Sequence, residues 1–257
     1  MQKIEGLTKG IRRRKNPFAF SVVIFILLFL LISSNHSCTR YRYYMADTQG
    51  NSVLIDAKCY NTLNRANELL KQGSYEQAFM NFNLCIKECP SNAFFYLGRG
   101  QTHEFQGQYD MAIADYTQAI EIDPGLADAY YQRGIAYFKK GQYDLSKEDC
   151  NKVININPKH VEAYFIRACA HYYKGQHDMA IADYTRVIEM NPKHAKAFFG
   201  RGITYCMQGK SDLAISDLNQ AIKFDSNLAG KQYEDILSKC RTRQPERSPR
   251  LPPGMKW

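Results

Sequence analysis

A period of 34 residues constrains this sequence more than any other feature. Prolines recur at that interval, at Pro90, Pro124, Pro158 and Pro192. Arginines and glycines do the same, at Arg65, Arg99, Arg133, Arg167 and Arg201 and at Gly73, Gly107, Gly141, Gly175 and Gly209. Equal units of this length imply stacked copies of one supersecondary element, because a single unit cannot bury its apolar face alone.

The recurring residues predict two short antiparallel helices in each unit. Glycine tolerates the positive φ of a tight turn between two helices, and proline ends a helix because it cannot donate to the backbone ladder. Small residues in between, such as Ala112 and Ala180, allow helices to approach closely. We therefore predict an all-α solenoid of five units, covering 59–92, 93–126, 127–160, 161–194 and 195–228, with a capping helix over 229–240.

This pattern, in its Y-x-x-R-G form, resembles the tetratricopeptide repeat (TPR) over about two-thirds of the chain. The resemblance implies a concave face formed by the first helix of each unit and used to bind other proteins. Carried onto this chain, the contact positions of the family are mostly aromatic or aliphatic: Tyr60, Leu63, Phe94, Leu97, Phe105, Tyr131, Ile135, Phe138, Phe165, Tyr172, Tyr173, Phe199, Ile203 and Met207. We expect this groove to prefer an apolar or aromatic peptide, either a helix or an extended segment.

Four arginines of the repeat have matching aspartates 16 residues later in the chain. In an antiparallel helix pair these two positions lie at the same height, which predicts structural ion pairs and not a ligand site. The predicted pairs involve Arg99, Arg133, Arg167 and Arg201 with Asp115, Asp149, Asp183 and Asp217.

The sequence offers no candidate for catalysis, a metal or a cofactor. It contains no phosphate-binding G-x-x-x-x-G-K-[ST] loop and no recognisable nucleophile-and-base pattern. His103 and His171 occupy a repeat position that tyrosine fills in Tyr137 and Tyr205, which favours a packing role. We therefore expect a protein that is not an enzyme and that holds neither metal nor cofactor.

Two of the eight cysteines are candidates for a disulfide. Cys59 opens the first helix of its unit and Cys89 nearly closes the second, so antiparallel packing brings them together. An oxidising compartment would allow the bond to form.

Residues 18–34 form an uncharged apolar segment that follows a basic segment, 1–17. As a helix of 17 residues it reaches roughly 25 Å, near the lower limit for crossing a bilayer. The preceding basic residues predict a cytoplasmic amino terminus and a TPR body on the other side, periplasmic in a bacterium. Two alternatives stay open: cleavage of the segment, which gives a secreted protein, and lipidation of Cys38. The following residues, 35–58, are predicted to be a linker.

The net charge of +9 comes entirely from the two ends of the chain. Residues 1–15 carry six basic and one acidic side chain, and the predicted disordered tail, 241–257, carries five and one. The neutral body argues against nucleic-acid binding, which requires a basic surface. The sequence thus predicts a membrane-tethered scaffold for protein interaction. The alternative is an accessory subunit of an envelope enzyme complex that handles cell-wall polymer or secreted proteins.

Overall fold

The computed structural model describes residues 42–46, 52–228 and 230–242 of the chain. Residues 1–17, the apolar segment 18–34 and most of the tail lie outside these ranges, so the predictions made for them do too. Two short strands, β1 (Arg42–Ala46) and β2 (Ser52–Asp56), pair into a sheet within the segment for which we predicted a linker. Within the described residues, no helix is both long and apolar enough to span a bilayer.

Ten helices follow as five antiparallel pairs. The pairs are α1 (Ala57–Lys71) with α2 (Tyr75–Glu88), α3 (Ala93–Phe105) with α4 (Tyr109–Ile122), α5 (Ala127–Lys139) with α6 (Tyr143–Ile156), α7 (Val161–Tyr173) with α8 (His177–Met190), and α9 (Ala195–Met207) with α10 (Ser211–Phe224). A short 3₁₀ helix, Ser226–Leu228, then leads to α11 (Lys231–Thr242). The described residues from 57 onward therefore form the predicted helical solenoid with an additional helix at its carboxyl end.

The repeated glycines and prolines mark the ends of these helices. Each glycine of the column ends a first helix with a positive φ between 71° and 75°, as expected for the tight turn. Each proline follows the end of a second helix by two residues, as Pro124 follows Ile122. The turn and stop signals read from the sequence are thus the ones that the fold uses.

Small residues decide how closely the paired helices approach. Ala78, Ala112, Ser146, Ala180 and Ala214 are all completely buried. A Cβ atom added at Gly100 would lie 2.6 Å from the Tyr116 ring, so only glycine leaves space for that tyrosine. Large buried residues such as Tyr116 and Tyr184 fill the core beside these positions.

Successive first helices contact one another more than successive second helices do. The first helices α1, α3, α5, α7 and α9 therefore line the inner face of the solenoid, and the second helices form the outer face. We call the inner face the concave face. It is the part of the molecule on which the predicted contact residues lie.

Candidate functional site

The predicted contact residues divide into three groups by exposure. Seven of them are at most 8% exposed and pack between neighbouring repeats: Leu63, Leu97, Phe138, Phe165, Tyr172, Phe199 and Ile203. Tyr60, Phe94, Tyr131, Ile135 and Met207 are half-buried, while Phe105 and Tyr173 are exposed. The accessible part of the predicted groove is therefore smaller than the sequence pattern indicated, because half of its large side chains are needed in the core.

One pocket of about 280 Å³ opens between α5, α7 and α9. Its lining includes three residues predicted from the sequence, Tyr131, Ile135 and Phe165, together with Ile166, Glu162, His194 and Lys196. We call it the concave pocket. Phe165 and Ile166 are 2% and 3% exposed and form its floor, whereas Tyr131 and Ile135 are half-buried and form a wall.

His194 is held in the concave pocket by the start of α9. Its Nδ1 accepts a hydrogen bond of 3.1 Å from the backbone N–H of Ala197, so it caps this helix. This bond leaves the proton of a neutral imidazole on Nε2, which lies 3.5 Å from Oε1 of Glu162. The His194 ring also packs against Phe165, with ring centroids 5.0 Å apart.

Glu162 is the ionised group at the rim of this pocket. The hydrogen bond from His194 lowers the pKa of Glu162, against an opposing effect of burial, and Lys196 adds a smaller favourable charge. The side chain of Glu162 is 52% exposed. The pocket thus combines an apolar floor and wall with an accessible carboxylate that stays charged at neutral pH.

An aromatic cluster lies near the turns of the third and fourth repeats. The Tyr143 and Tyr173 rings stack with centroids 5.1 Å apart, and Phe138 contacts both rings edge-on at 5.4 and 5.6 Å. Burial raises the pKa of Tyr173 to about 12, so its hydroxyl stays protonated at neutral pH. Tyr143 was not among the predicted contact residues. Its signal is an aromatic residue that opens four of the five second helices, at Tyr75, Tyr109, Tyr143 and His177.

The arginine and aspartate columns form bidentate pairs in four repeats. Arg133 donates from Nε and Nη2 to the two carboxylate oxygens of Asp149, both at 2.8 Å. The same geometry joins Arg99 to Asp115, Arg167 to Asp183, and Arg201 to Asp217. These side chains are engaged with one another, which is the structural role that the sequence predicted for them.

The remaining donor of each arginine reaches back to the preceding repeat. Arg133 Nη1 donates to Thr117 at 3.0 Å, and the other three arginines donate in the same way to Asn83, Asn151 and Thr185. Sequence reasoning missed this Asn/Thr column, although its members also stand 34 residues apart. Each arginine therefore fixes its own helix pair and also the contact with its neighbour.

The cysteines behave differently from the sequence expectation. The Cys59 and Cys89 sulfurs lie 3.8 Å apart, as neighbouring thiols without a bond. The disulfide in the structure joins Cys206 of α9 to Cys240 of α11 instead. A signal for it existed, because these two cysteines are 34 residues apart and therefore occupy equivalent positions if α11 acts as the first helix of a sixth unit.

Within the described part of the chain, no group of three or more His, Cys, Asp or Glu side chains is arranged to hold a metal ion. His103 and His171 are buried, and the Nδ1 of each lies 2.7 Å from a glutamine side chain, Gln108 and Gln176 respectively. Both histidines thus take part in packing and local hydrogen bonding.

Comparisons with known proteins agree with this architecture. Family models described as "Tetratricopeptide repeat" match residues 127–160, 161–194 and 183–216, and one described as "TPR repeat" matches 105–141. The first two of these ranges coincide with the third and fourth units. No curated protein matches the chain.

Solved structures of similar fold include a crystal structure of MamA, which is 24% identical with a TM-score of 0.59, covering 64% of this chain and 96% of that one. The crystal structure of YrrB is 23% identical with a TM-score of 0.59, and the match covers 70% of this chain and 90% of YrrB. MamA from Desulfovibrio magneticus RS-1 is 17% identical with a TM-score of 0.62, and the match covers 68% of this chain and 98% of that MamA chain. These similarities support the fold, and with the family models they show that the chain contains tetratricopeptide repeats stacked as a helical solenoid.

Proposed function

We propose that this chain is a non-catalytic scaffold that holds a protein partner on its concave face and is tethered to a membrane by residues 18–34. The observation that carries the proposal is the concave pocket, which has a mostly apolar lining surface and opens on the inner face of the solenoid. Concave, mostly apolar sites with a few polar groups at defined places are typical of binding sites in proteins.

The arrangement of the other polar residues supports binding over catalysis. The half-buried arginines and the buried aspartates are engaged in pairs within their repeats, and the buried histidines in local hydrogen bonds. YrrB, which shares the fold, is described as "a TPR protein with an unusual peptide-binding site". A peptide segment of a partner is the ligand that an open face between successive first helices accommodates best.

Two features support a body held outside the cytoplasm. The uncharged segment 18–34 is preceded by Arg12, Arg13, Arg14 and Lys15, the charge pattern of a cytoplasmic flank. The Cys206–Cys240 disulfide is of a kind that persists in oxidising compartments and is rare in the cytosol. Together these features favour an anchor with the TPR body on the far side of the membrane.

Affinity capture with the full chain from solubilised membranes tests the proposal. Ile135→Asp places a charge on the wall of the concave pocket and is expected to release the partner. Met111→Asp is the matched control, because Met111 is 54% exposed on the second helix α4, away from this face. Both variants are first checked for unchanged helix content by circular dichroism.

A partner that is retained by Met111→Asp and lost by Ile135→Asp would establish the binding face and identify the partner by mass spectrometry. Equal capture by both variants would place the binding site elsewhere and refute the proposal. Fractionation of cells with and without residues 18–34 tests the tether: release of the shortened chain from the membrane fraction is expected.

A further inference from the structure

We propose that the concave pocket is an anchor site for one tryptophan or tyrosine side chain of the partner, whose ring enters the pocket and whose N–H or O–H donates to the Glu162 carboxylate. This inference rests on the proposed function and narrows the partner to a chemical class. It follows from three features of the pocket: its size, its acidic rim and its basic rim.

The size of the pocket fits one large side chain. Pockets for drug-sized ligands begin at roughly 300 Å³, and the concave pocket has about 280 Å³. Its floor is formed by Phe165 and Ile166, and its wall by Tyr131 and Ile135. Two aromatic rings among these four residues provide faces and edges for offset or edge-to-face packing, which aromatic ligands exploit.

The carboxylate at the rim selects for a hydrogen-bond donor. Glu162 is held in its ionised form, and an ionised carboxylate only accepts hydrogen bonds, at about four sites. His194 faces one of its oxygens at 3.5 Å, which uses part of this capacity. The tip of a tryptophan or tyrosine ring carries a donor, whereas phenylalanine and leucine carry none and would remove water from the carboxylate without replacing the lost hydrogen bond.

The ammonium at the rim selects for an aromatic ring. Lys196 is half-buried and lines the pocket from the first turn of α9. A lysine near an aromatic face is attracted by the ring quadrupole, most strongly for tryptophan. Aliphatic side chains would fill the pocket without this attraction. The lysine therefore favours aromatic over aliphatic side chains, and the carboxylate favours tryptophan and tyrosine over phenylalanine.

A selection of peptides on the full chain in lipid nanodiscs tests the anchor. A phage-displayed library of random peptides is selected on the wild-type chain, and clones that still bind Ile135→Asp are discarded. The remaining peptides are expected to share a tryptophan or tyrosine at one position. A synthetic copy of the strongest peptide is then compared with its version carrying phenylalanine at that position.

The affinities of these two peptides for Glu162 variants form the decisive comparison. Against the wild-type chain the phenylalanine peptide is expected to bind about tenfold more weakly, because one hydrogen bond to a charged acceptor is lost. Against Glu162→Ala this hydrogen-bond contribution should disappear. A tyrosine peptide and its phenylalanine version should then bind within about twofold of each other, and a tryptophan peptide should keep only the smaller advantage of its larger ring. Glu148→Ala, which removes an exposed glutamate from α6 on the outer face, should behave as the wild type.

Two different results would overturn the inference. If the peptides that depend on Ile135 carry leucine, isoleucine or phenylalanine, or if the tenfold difference persists in Glu162→Ala, the anchor chemistry is wrong while the binding face stands. If no peptide depends on Ile135, the proposed binding face fails and the inference fails with it.

Discussion

The two ends of the solenoid are closed in different ways. At the carboxyl end, α11 packs against the last repeat, and the Cys206–Cys240 disulfide attaches it covalently. At the amino end, Cys59 and Cys89 bring two sulfurs to 3.8 Å within the first repeat, but the thiols are not bonded. Both ends therefore bring two cysteines together across neighbouring helices. The two form a disulfide at the carboxyl end and stay as free thiols at the amino end.

The ion pairs repeat this difference. In the last repeat, Arg201 donates to Asp217 and reaches back to Thr185 of the preceding repeat. In the first repeat, Asn81 stands where the others have an aspartate, and Arg65 is exposed. Arg65 and Arg201 occupy the same position of the repeat but have different roles. The role depends on whether an aspartate stands in the same repeat and whether another repeat precedes it.

This difference between the two ends indicates that local contacts set the stability along the solenoid. In repeat proteins each unit contacts only its neighbours, so an end that lacks covalent and ionic links opens more readily. We expect the first repeat to exchange its amide hydrogens faster than the last one.

The largest effect is expected from the disulfide at the carboxyl end. Replacing both cysteines by serine removes a link across 34 residues, for which the chain-entropy account gives about 4 kcal/mol. Helix α11 should lose its protection against hydrogen exchange, measured by mass spectrometry, while α3 keeps its own. The reduced wild-type chain serves as a control and should match the variant; unchanged protection of α11 would contradict the stabilising role of the bond.

The next largest effect is expected from the ion pairs. Arg201→Ala leaves Asp217 buried without its bidentate partner, because the two side chains are only 15% and 8% exposed. The expected loss is about 3 kcal/mol of unfolding free energy. Arg65→Ala, the matched change in the first repeat, should cost less than about 0.5 kcal/mol, as for ordinary surface positions. Urea denaturation of the two variants measures both losses, and equal losses would refute the comparison.

Oxidation of the amino-terminal thiols should make the two ends alike. Glutathione disulfide is expected to react first at the half-buried Cys89, after which Cys59 attacks the mixed disulfide and releases glutathione. Burial raises the pKa of Cys59 to about 12, with the hydrogen bond to Cys89 adding to the effect, so its thiolate is scarce at neutral pH. Below that pKa the rate of closure should rise about tenfold per pH unit.

The closed form should protect α1 against hydrogen exchange by about 2 kcal/mol. Mass spectrometry after alkylation follows the loss of two free thiols. Cys89→Ser is the control, in which neither the bond nor the added protection should appear. A closure rate that does not change with pH would show that the Cys59 thiolate does not limit the reaction.

The smallest effect is expected from repairing the first repeat. Asn81→Asp supplies the missing member of the aspartate column opposite Arg65. Because this arginine is exposed, the gain should stay below about 1 kcal/mol. The same urea titration measures it, and a gain as large as the loss from Arg201→Ala would mean that burial does not decide the strength of these pairs.

The period of the sequence predicted the helices and their turns, because proline and glycine act through the backbone and leave few alternatives. It also predicted which arginines and aspartates would meet, since a shared interval places them at equal height. Side-chain burial was harder to foresee. Phe165 and Phe199 belong to the contact positions of the family, but in this chain they are both 2% exposed and serve as core between repeats.

The cysteines show a second limit of sequence reasoning. Cys59 and Cys89 were expected to lie close together because antiparallel helices bring opposite ends of a unit together, and the structure places them so. The disulfide between Cys206 and Cys240 depends on α11 taking the place of a sixth first helix, a position that a capping helix does not have to adopt. The concave pocket depends likewise on Ile166 and His194, which lie outside the contact positions of the family.

Hydrogen exchange of the full chain, with and without its captured partner, tests whether the partner lies on the concave face. We expect the partner to slow exchange in the first helices α5, α7 and α9, most of all in the turns that line the concave pocket. The second helices α6, α8 and α10 should keep their exchange rates. Protection confined to those second helices would place the partner on the outer face and contradict the account.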